Sequence, residues 1–492
     1  MTTDTAPRRW PIVFTVLMGT VSVVLTTNVV NVAIPSIMAD FGMSQIQAQW
    51  LSTGFLASVT ATMLASARLV ERLGQRRTFV LALLVFVAAS LLAAASWNGP
   101  VMILARVLQG AVAGVMQPLA LVVIFQVFPD DQRGKAIGLY GMGVVMAPAI
   151  GPAFGGFLID LFGWRSVYLA ALPFCLVGLL GARRHMPDRR ADAPARFDWP
   201  GLVLLSAGLA ALLSGISAVA SDAGRALPQA GAGVILLTLF LLRQRRARHP
   251  LVALTVFRHP TFVLASLLGL IYGMGLFATT YLLPLLVQGV QGLSPTATGL
   301  VLMPAGLVLA MIFPVSGRLS DIWPAHRLIP VGLAIFAVAL FGLSATGPGT
   351  GFWALAGWIL IGRVGLGLTL PALNLDALRG LPDRLMQQGS GVINFARQLG
   401  GALGVNLFAL LLEMRVADHL AAGGDAPFEL HRFYEAGAEA ARASGAALRA
   451  LTRGFSDTFI VLGLLFVAAL IPAVAMGVCR GKIRKDPAGV RR

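Results

Sequence analysis

Three arginines sit inside stretches that are otherwise uncharged: Arg106 in ILARVLQGAVAG, Arg363 in IGRVGLGLTLP and Arg397 in INFARQLGG. At the centre of a membrane helix an arginine costs about 2.5–3.5 kcal/mol on insertion scales, so each must face the protein interior and find acceptors. Arg106, Gly110, Gly114 and Gln117 recur at spacings of four, four and three, which puts them on one helix face. The glycines let a partner helix approach, and Arg106 and Gln117 point to a cavity or to that neighbour. Arg397 lies between Asn394 and Gln398, and Asn28 and Asn31 stand three apart on another apolar stretch. Neutral donors and acceptors of this kind suit a polar cavity wall. Gln109, Tyr272 and Tyr281 join them as candidates, with ordinary helix packing as the alternative for the tyrosines. Arg363, among glycines, reads as an internal structural cation.

The acids tell a different story. Of 21 Asp and Glu, none falls in the middle of an apolar stretch. Asp40, Asp376 and Glu413 stand at stretch ends, where burial can raise a carboxylate's affinity for a proton toward neutral pH. Each has a plainer reading: Asp40 as a solvated loop residue, for instance, or Glu413 ending a helix beside Arg415. Cations without embedded acids favour neutral or anionic, weakly acidic cargo over lipophilic cations. Cys175 and Cys479 fit neither a disulfide framework nor a metal site, and no cluster of acids or histidines suggests an enzyme's active site. No phosphate-binding Gly-Lys-Ser/Thr loop is present, so ATP is not the direct energy source. No cofactor is expected.

These residues must be positioned by membrane helices. The chain is 57% hydrophobic and 12% charged over 492 residues, with a mean hydropathy of +0.80. Uncharged apolar stretches long enough to cross a hydrocarbon core, about 17–25 residues, number fourteen; the stretch from Pro11 to Ile37 is retained, not cleaved. If the loops alternate sides, one set together with both termini holds 28 of the 38 Lys and Arg. That bias places both termini in the cytoplasm and attributes the +17 net charge to topology and anionic lipid headgroups. Nucleic acid is not an expected partner.

An internal echo organises the spans. Ala67-Arg68-Leu69-Val70-Glu71 follows the second, and Gly317-Arg318-Leu319-Ser320-Asp321 follows the tenth. The expected architecture is therefore all α-helical: two six-helix bundles with two helices inserted between them. The expected boundaries are 1–182 for the first bundle, 183–260 for the linker with its helix pair and 261–492 for the second bundle. Within the last, 413–454 forms an external segment with amphipathic stretches. It offers either a lid over the cavity or a docking surface for a periplasmic adaptor protein.

Residues 141–156, GMGVVMAPAIGPAFGG, place glycines and prolines in an apolar span. Pro148 and Pro152 each remove a backbone donor, and Gly151 and Gly155, four apart, permit close helix contact. The expectation is a kinked, tightly packed fifth helix. The run Ala147 to Gly156, with Pro148, Gly151, Pro152, Gly155 and Gly156, resembles the antiporter motif of the major facilitator superfamily. Ala67 to Arg77, including Glu71, Arg72, Gly74 and Arg76, resembles that superfamily's loop motif between helices 2 and 3, echoed at Asp321. With Ala105 to Gly110, Asn31 to Pro35 and Arg397 to Gly401, the set resembles the fourteen-spanner EmrB/QacA-like drug:proton antiporters over nearly the whole chain.

That resemblance implies alternating-access efflux of lipophilic small molecules against inward proton flow, in a bacterial inner or plasma membrane. It also implies gating roles for the loop-motif and helix 5 residues, and favours a coupling role for Arg106 over a structural bond to backbone carbonyls. The chain departs from the pattern at Ala67, Glu71 and Gln75, and at Thr26, where many relatives carry an aspartate. The missing acid keeps open an importer or uniporter of the same fold.

Overall fold

The computed structural model describes residues 9–43, 45–186, 198–218, 223–248, 250–293, 295–421 and 445–485. The first half comprises α1 (Arg9–Phe41), α2 (Gln45–Leu73), α3 (Gln75–Ala94), α4 (Gly99–Val127), α5 (Arg133–Phe162) and a broken sixth rod, α6 (Ser166–Leu169) and α7 (Leu172–His185). A hairpin of α8 (Trp199–Ala218) and α9 (Ala223–Arg246) follows. The second half comprises α10 (Pro260–Gly289), α11 (Pro295–Ile322), α12 (Ala325–Ser344), α13 (Phe352–Arg379) and α14 (Asp383–Ala421). Its sixth rod is again broken, into α15 (Gly445–Ala468) and α16 (Leu470–Lys485). Both breaks fall beside a proline, Pro173 and Pro472, whose missing N–H cannot continue the ladder.

Twelve helices among the described residues are long and apolar enough to cross a membrane; α2 and α5 complete the fourteen rods. Lipid-facing surfaces carry the side chains a hydrocarbon solvent prefers: Leu81, Leu84 and Val85 on α3, Val203 on α8, and Val234 and Ile235 on α9 are all exposed. The interior uses close backbone approach. A Cβ added at Gly110 would overlap the Phe55 carbonyl, and one at Gly114 the Val59 carbonyl, so the small face of α4 is where α2 docks.

Two polar caps fix the framework. Asn98 accepts the Val101 N–H at 3.0 Å to start α4. Asp198, just before α8, accepts from Gly201 N, Arg243 Nε and Gln244 Nε2 at 3.0, 2.7 and 3.0 Å, which clasps the two ends of the inserted hairpin. Burial pushes the Asp198 carboxyl up, but those donors outweigh it and hold the group below its ordinary range.

The external segment differs in part from expectation. Residues 413–421 continue α14, and 445–454 already belong to α15; 422–444 lie outside the described residues. At 39 residues, α14 is roughly 58 Å long at 1.5 Å per residue, nearly twice a ~30 Å hydrocarbon core. It projects beyond the membrane, where His419 Nε2 lies 3.0 Å from Asp457 Oδ2 of α15.

Candidate functional site

The site is a central cavity of about 580 Å³ between the two halves. It is lined by α1, α2, α4 and α5 of the first half and by α10, α11, α13 and α14 of the second. Those are the first, second, fourth and fifth rods of each six-helix set, the pattern a repeated bundle produces when two copies face each other. Phe55, Leu276, Phe277, Leu309 and Phe313 form much of the apolar wall. Both volume and lining suit a drug-sized organic molecule.

Polar groups interrupt the apolar wall. Gln117, Tyr272, Asn394, Arg397 and Gln398, all singled out from sequence, line it together. Arg397 Nη2 donates to Gln117 Oε1 at 3.1 Å across the two halves, and to Asn394 Oδ1 at 3.0 Å. Arg363 also lines the cavity, which corrects its reading as an internal structural cation. Tyr140 and Asn374 are further lining residues that the sequence did not bring forward. Tyr140 is a lone polar residue in a glycine-rich run, and Asn374 stands two residues before Asp376, a spacing that puts the two on different helix faces and gives no polar face to read.

Other candidates lie elsewhere. Gln109 is buried behind the wall, its Nε2 donating to Ser90 Oγ at 2.9 Å. Tyr281 is 40% exposed and outside the lining. Arg106 is 1% exposed; its Nε donates to the Leu51 carbonyl of α2 at 3.1 Å and its Nη1 to Gln109 Oε1 at 3.0 Å. Its guanidinium lies 4.3 Å from the Phe55 ring centroid, so Phe55 faces the cavity with Arg106 beside it. The side chains of Asn28 and Asn31, and of Pro148, Gly151, Pro152 and Gly156, lie outside the described residues. Gly155 is buried in α5, which runs as one helix through this stretch.

The proton-carrier candidates are dispersed. Asp40, at the far end of α1, accepts from Trp164 Nε1 at 2.8 Å and Arg165 Nη1 at 3.0 Å; those two donors hold its carboxyl below the usual range. Glu413 is half-buried on the projecting half of α14. Asp376 is 1% exposed on α13, three residues before Arg379.

At the end carrying the arginine-rich loops, here the basic end, the halves are latched. Gly74, at φ +84°, makes the one-residue turn between α2 and α3, a conformation that favours glycine. Arg76 donates to the Arg183 carbonyl, and Arg72 is exposed in the last turn of α2. Glu71 accepts from Arg68 Nη1 at 2.6 Å and from Gln388 Nε2 of α14 at 3.1 Å. Asp321, at the equivalent place on α11, accepts from Gly134 N at 2.7 Å and Lys135 N at 2.8 Å, the first turn of α5. The helix pairs touch closely there: a Cβ at Gly134 or Gly317 would overlap the other's carbonyl oxygen. Further bonds across the halves join Arg379 to the Asp130 carbonyl at 2.9 Å and Ser390 to the Pro118 carbonyl at 3.0 Å.

A family model described as Major Facilitator Superfamily matches residues 16–405. The tetracenomycin C resistance and export protein of Streptomyces glaucescens is 31% identical, over 84% of this chain and 77% of its own. The puromycin resistance protein of Streptomyces alboniger is 34% identical, over 86% and 85%. Among solved structures, the proton:xylose symporter XylE superposes with a TM-score of 0.62, covering 94% of each chain at 15% identity, a likeness of fold alone.

Proposed function

Since this chain belongs to the Major Facilitator Superfamily, we propose that it exports lipophilic small molecules from the cytoplasm by alternating access, coupled to inward proton flow. The observation that carries this reading is the central cavity, walled by equivalent helices of both halves and latched at the basic end. A site reached from one side while the other is sealed is what rocking transport needs. The positive-inside bias makes the basic end cytoplasmic, with both termini on that side. The resistance proteins among the relatives support efflux as the direction.

Asp376 is the carboxylate best suited to carry the proton: it is fully buried and shares α13 with the cavity residues Arg363 and Asn374. The test is pH-driven uptake into inside-out proteoliposomes of the purified full chain. A lumen-acid gradient, which in this orientation drives protons toward the cytoplasmic face, is expected to accelerate uptake several-fold, and Asp376→Asn to remove that acceleration; wild-type uptake indifferent to the gradient would sink the coupling. A uniporter of the same fold is the second reading, favoured by the absence of Asp and Glu from the described cavity lining. The projecting ends of α14 and α15 support, as a further part of this proposal, an external surface for an adaptor protein.

A further inference from the structure

Both cations of the cavity come from the second half, Arg363 on α13 and Arg397 on α14, and no Asp or Glu is among the described lining residues. Arg397 satisfies its donors with neutral oxygens, those of Gln117 and Asn394, which leave its charge uncompensated. Arg363 lines the cavity with no hydrogen bond or ion pair among the described residues. The Tyr272 hydroxyl of α10 is buried, without a hydrogen-bond partner among those residues, and within electrostatic reach of both guanidiniums. A cation inside the membrane zone needs an acceptor, and a buried donor left unmade is costly. Two guanidiniums and a phenol hydroxyl together offer only donors to a negatively charged group, while the rest of the wall is largely apolar.

We propose that the cavity selects amphipathic organic acids in their ionised form. The apolar body lies against Leu276, Phe277, Leu309 and Phe313, and the carboxylate or sulfonate head sits between Arg363 and Arg397 with Tyr272 as a third donor. Guanidinium forks suit such heads geometrically as well as by charge. The selectivity concerns what binds; it rests on the export reading only for the direction of movement.

The test compares three ligands with one apolar body: 2-naphthoxyacetate, its methyl ester and a naphthoxyethyl-trimethylammonium cation. Binding is read by ligand fluorescence with the purified full chain in neutral detergent. The acid is expected to bind about tenfold tighter than either analogue, as charge-assisted bonds outweigh neutral ones. Arg363→Gln and Arg397→Gln should each lower the acid-to-ester affinity ratio by roughly that factor, and Arg363→Lys should restore part of it. Because the ratio uses two ligands on one variant, loss of folding is distinguished from loss of charge recognition.

Equal binding of acid and ester, preference for the cation, binding of none, or a ratio indifferent to both arginine variants would overturn the proposal. Added phosphatidylglycerol that displaces the acid would reassign the site to a lipid headgroup and overturn it too. Acid-selective binding without flux in proteoliposomes would support the site while defeating the export reading. Flux of the cation in preference to the acid would do the reverse.

Discussion

Two junctions at the basic end descend from one sequence echo, yet they hold by different means. Asp321 presents both carboxylate oxygens to the backbone N–H groups that open α5, the partially positive end of that helix. Glu71 meets a side-chain amide, that of Gln388, and already shares its charge with Arg68 on its own helix. Burial differs in the same sense, with the Asp321 side chain 9% exposed and that of Glu71 25%. A latch onto backbone amides is indifferent to the partner's sequence and gains from the helix dipole. A latch onto a side chain is weaker and can be tuned by substitution. The α5–α11 junction is therefore the stronger seal, and α2–α14 the adjustable one.

Four substitutions break or sharpen that contrast, each read by cysteine accessibility at the basic end alongside transport. Gly317→Leu should act most strongly, since any Cβ there overlaps the Gly134 carbonyl. Overpacking of about 1–3 kcal/mol against the closed state should leave the basic end open and transport nearly abolished, with protein still reaching the membrane. Next comes Asp321→Asn, which keeps an acceptor but loses the charge at the helix end. A loss of about 1–2 kcal/mol shifts the open-to-closed ratio by roughly tenfold. Gln388→Glu sets like charges face to face, with Gln388 buried and Glu71 partly exposed; Arg68, already bonded to Glu71, offsets part of the repulsion, so the same ratio should move only a few-fold. Glu71→Gln should be the mildest, within about 0.5 kcal/mol, because the amide oxygen still accepts from Gln388. If Glu71→Gln opened the basic end more than Asp321→Asn, the ranking of the two junctions would be reversed.

Much of this arrangement is legible in the sequence, for physical reasons. Membrane spans announce themselves because lipid demands long uncharged runs, and the echo at 67–71 and 317–321 marks the repeat. Embedded polar residues are costly enough in lipid that Gln117, Asn394, Arg397 and Gln398 had to face an interior. Tyr272 and Tyr281 show the limit of counting polar residues without phase. Nine residues at roughly 100° each place them on opposite faces of α10, and only Tyr272 lines the cavity. Gln109 stands eight residues from Gln117, roughly a quarter turn away by the same measure, and pairs with Arg106 instead. Arg363 was obscured by its glycine neighbours, which suggested packing. Which helix of one half meets which of the other is a long-range choice that no local pattern in a single chain records. The Asp321 contact with α5 became visible only with the fold.

The central claim is that the α5–α11 junction opens and closes as the cavity changes sides. Spin labels at Asp131 and Ile322, both exposed at the basic ends of these helices, report it directly through double electron–electron resonance. The account predicts a short and a long distance population in the wild type, with the short one depleted by Asp321→Asn. A single distance, unchanged by that substitution, would contradict it.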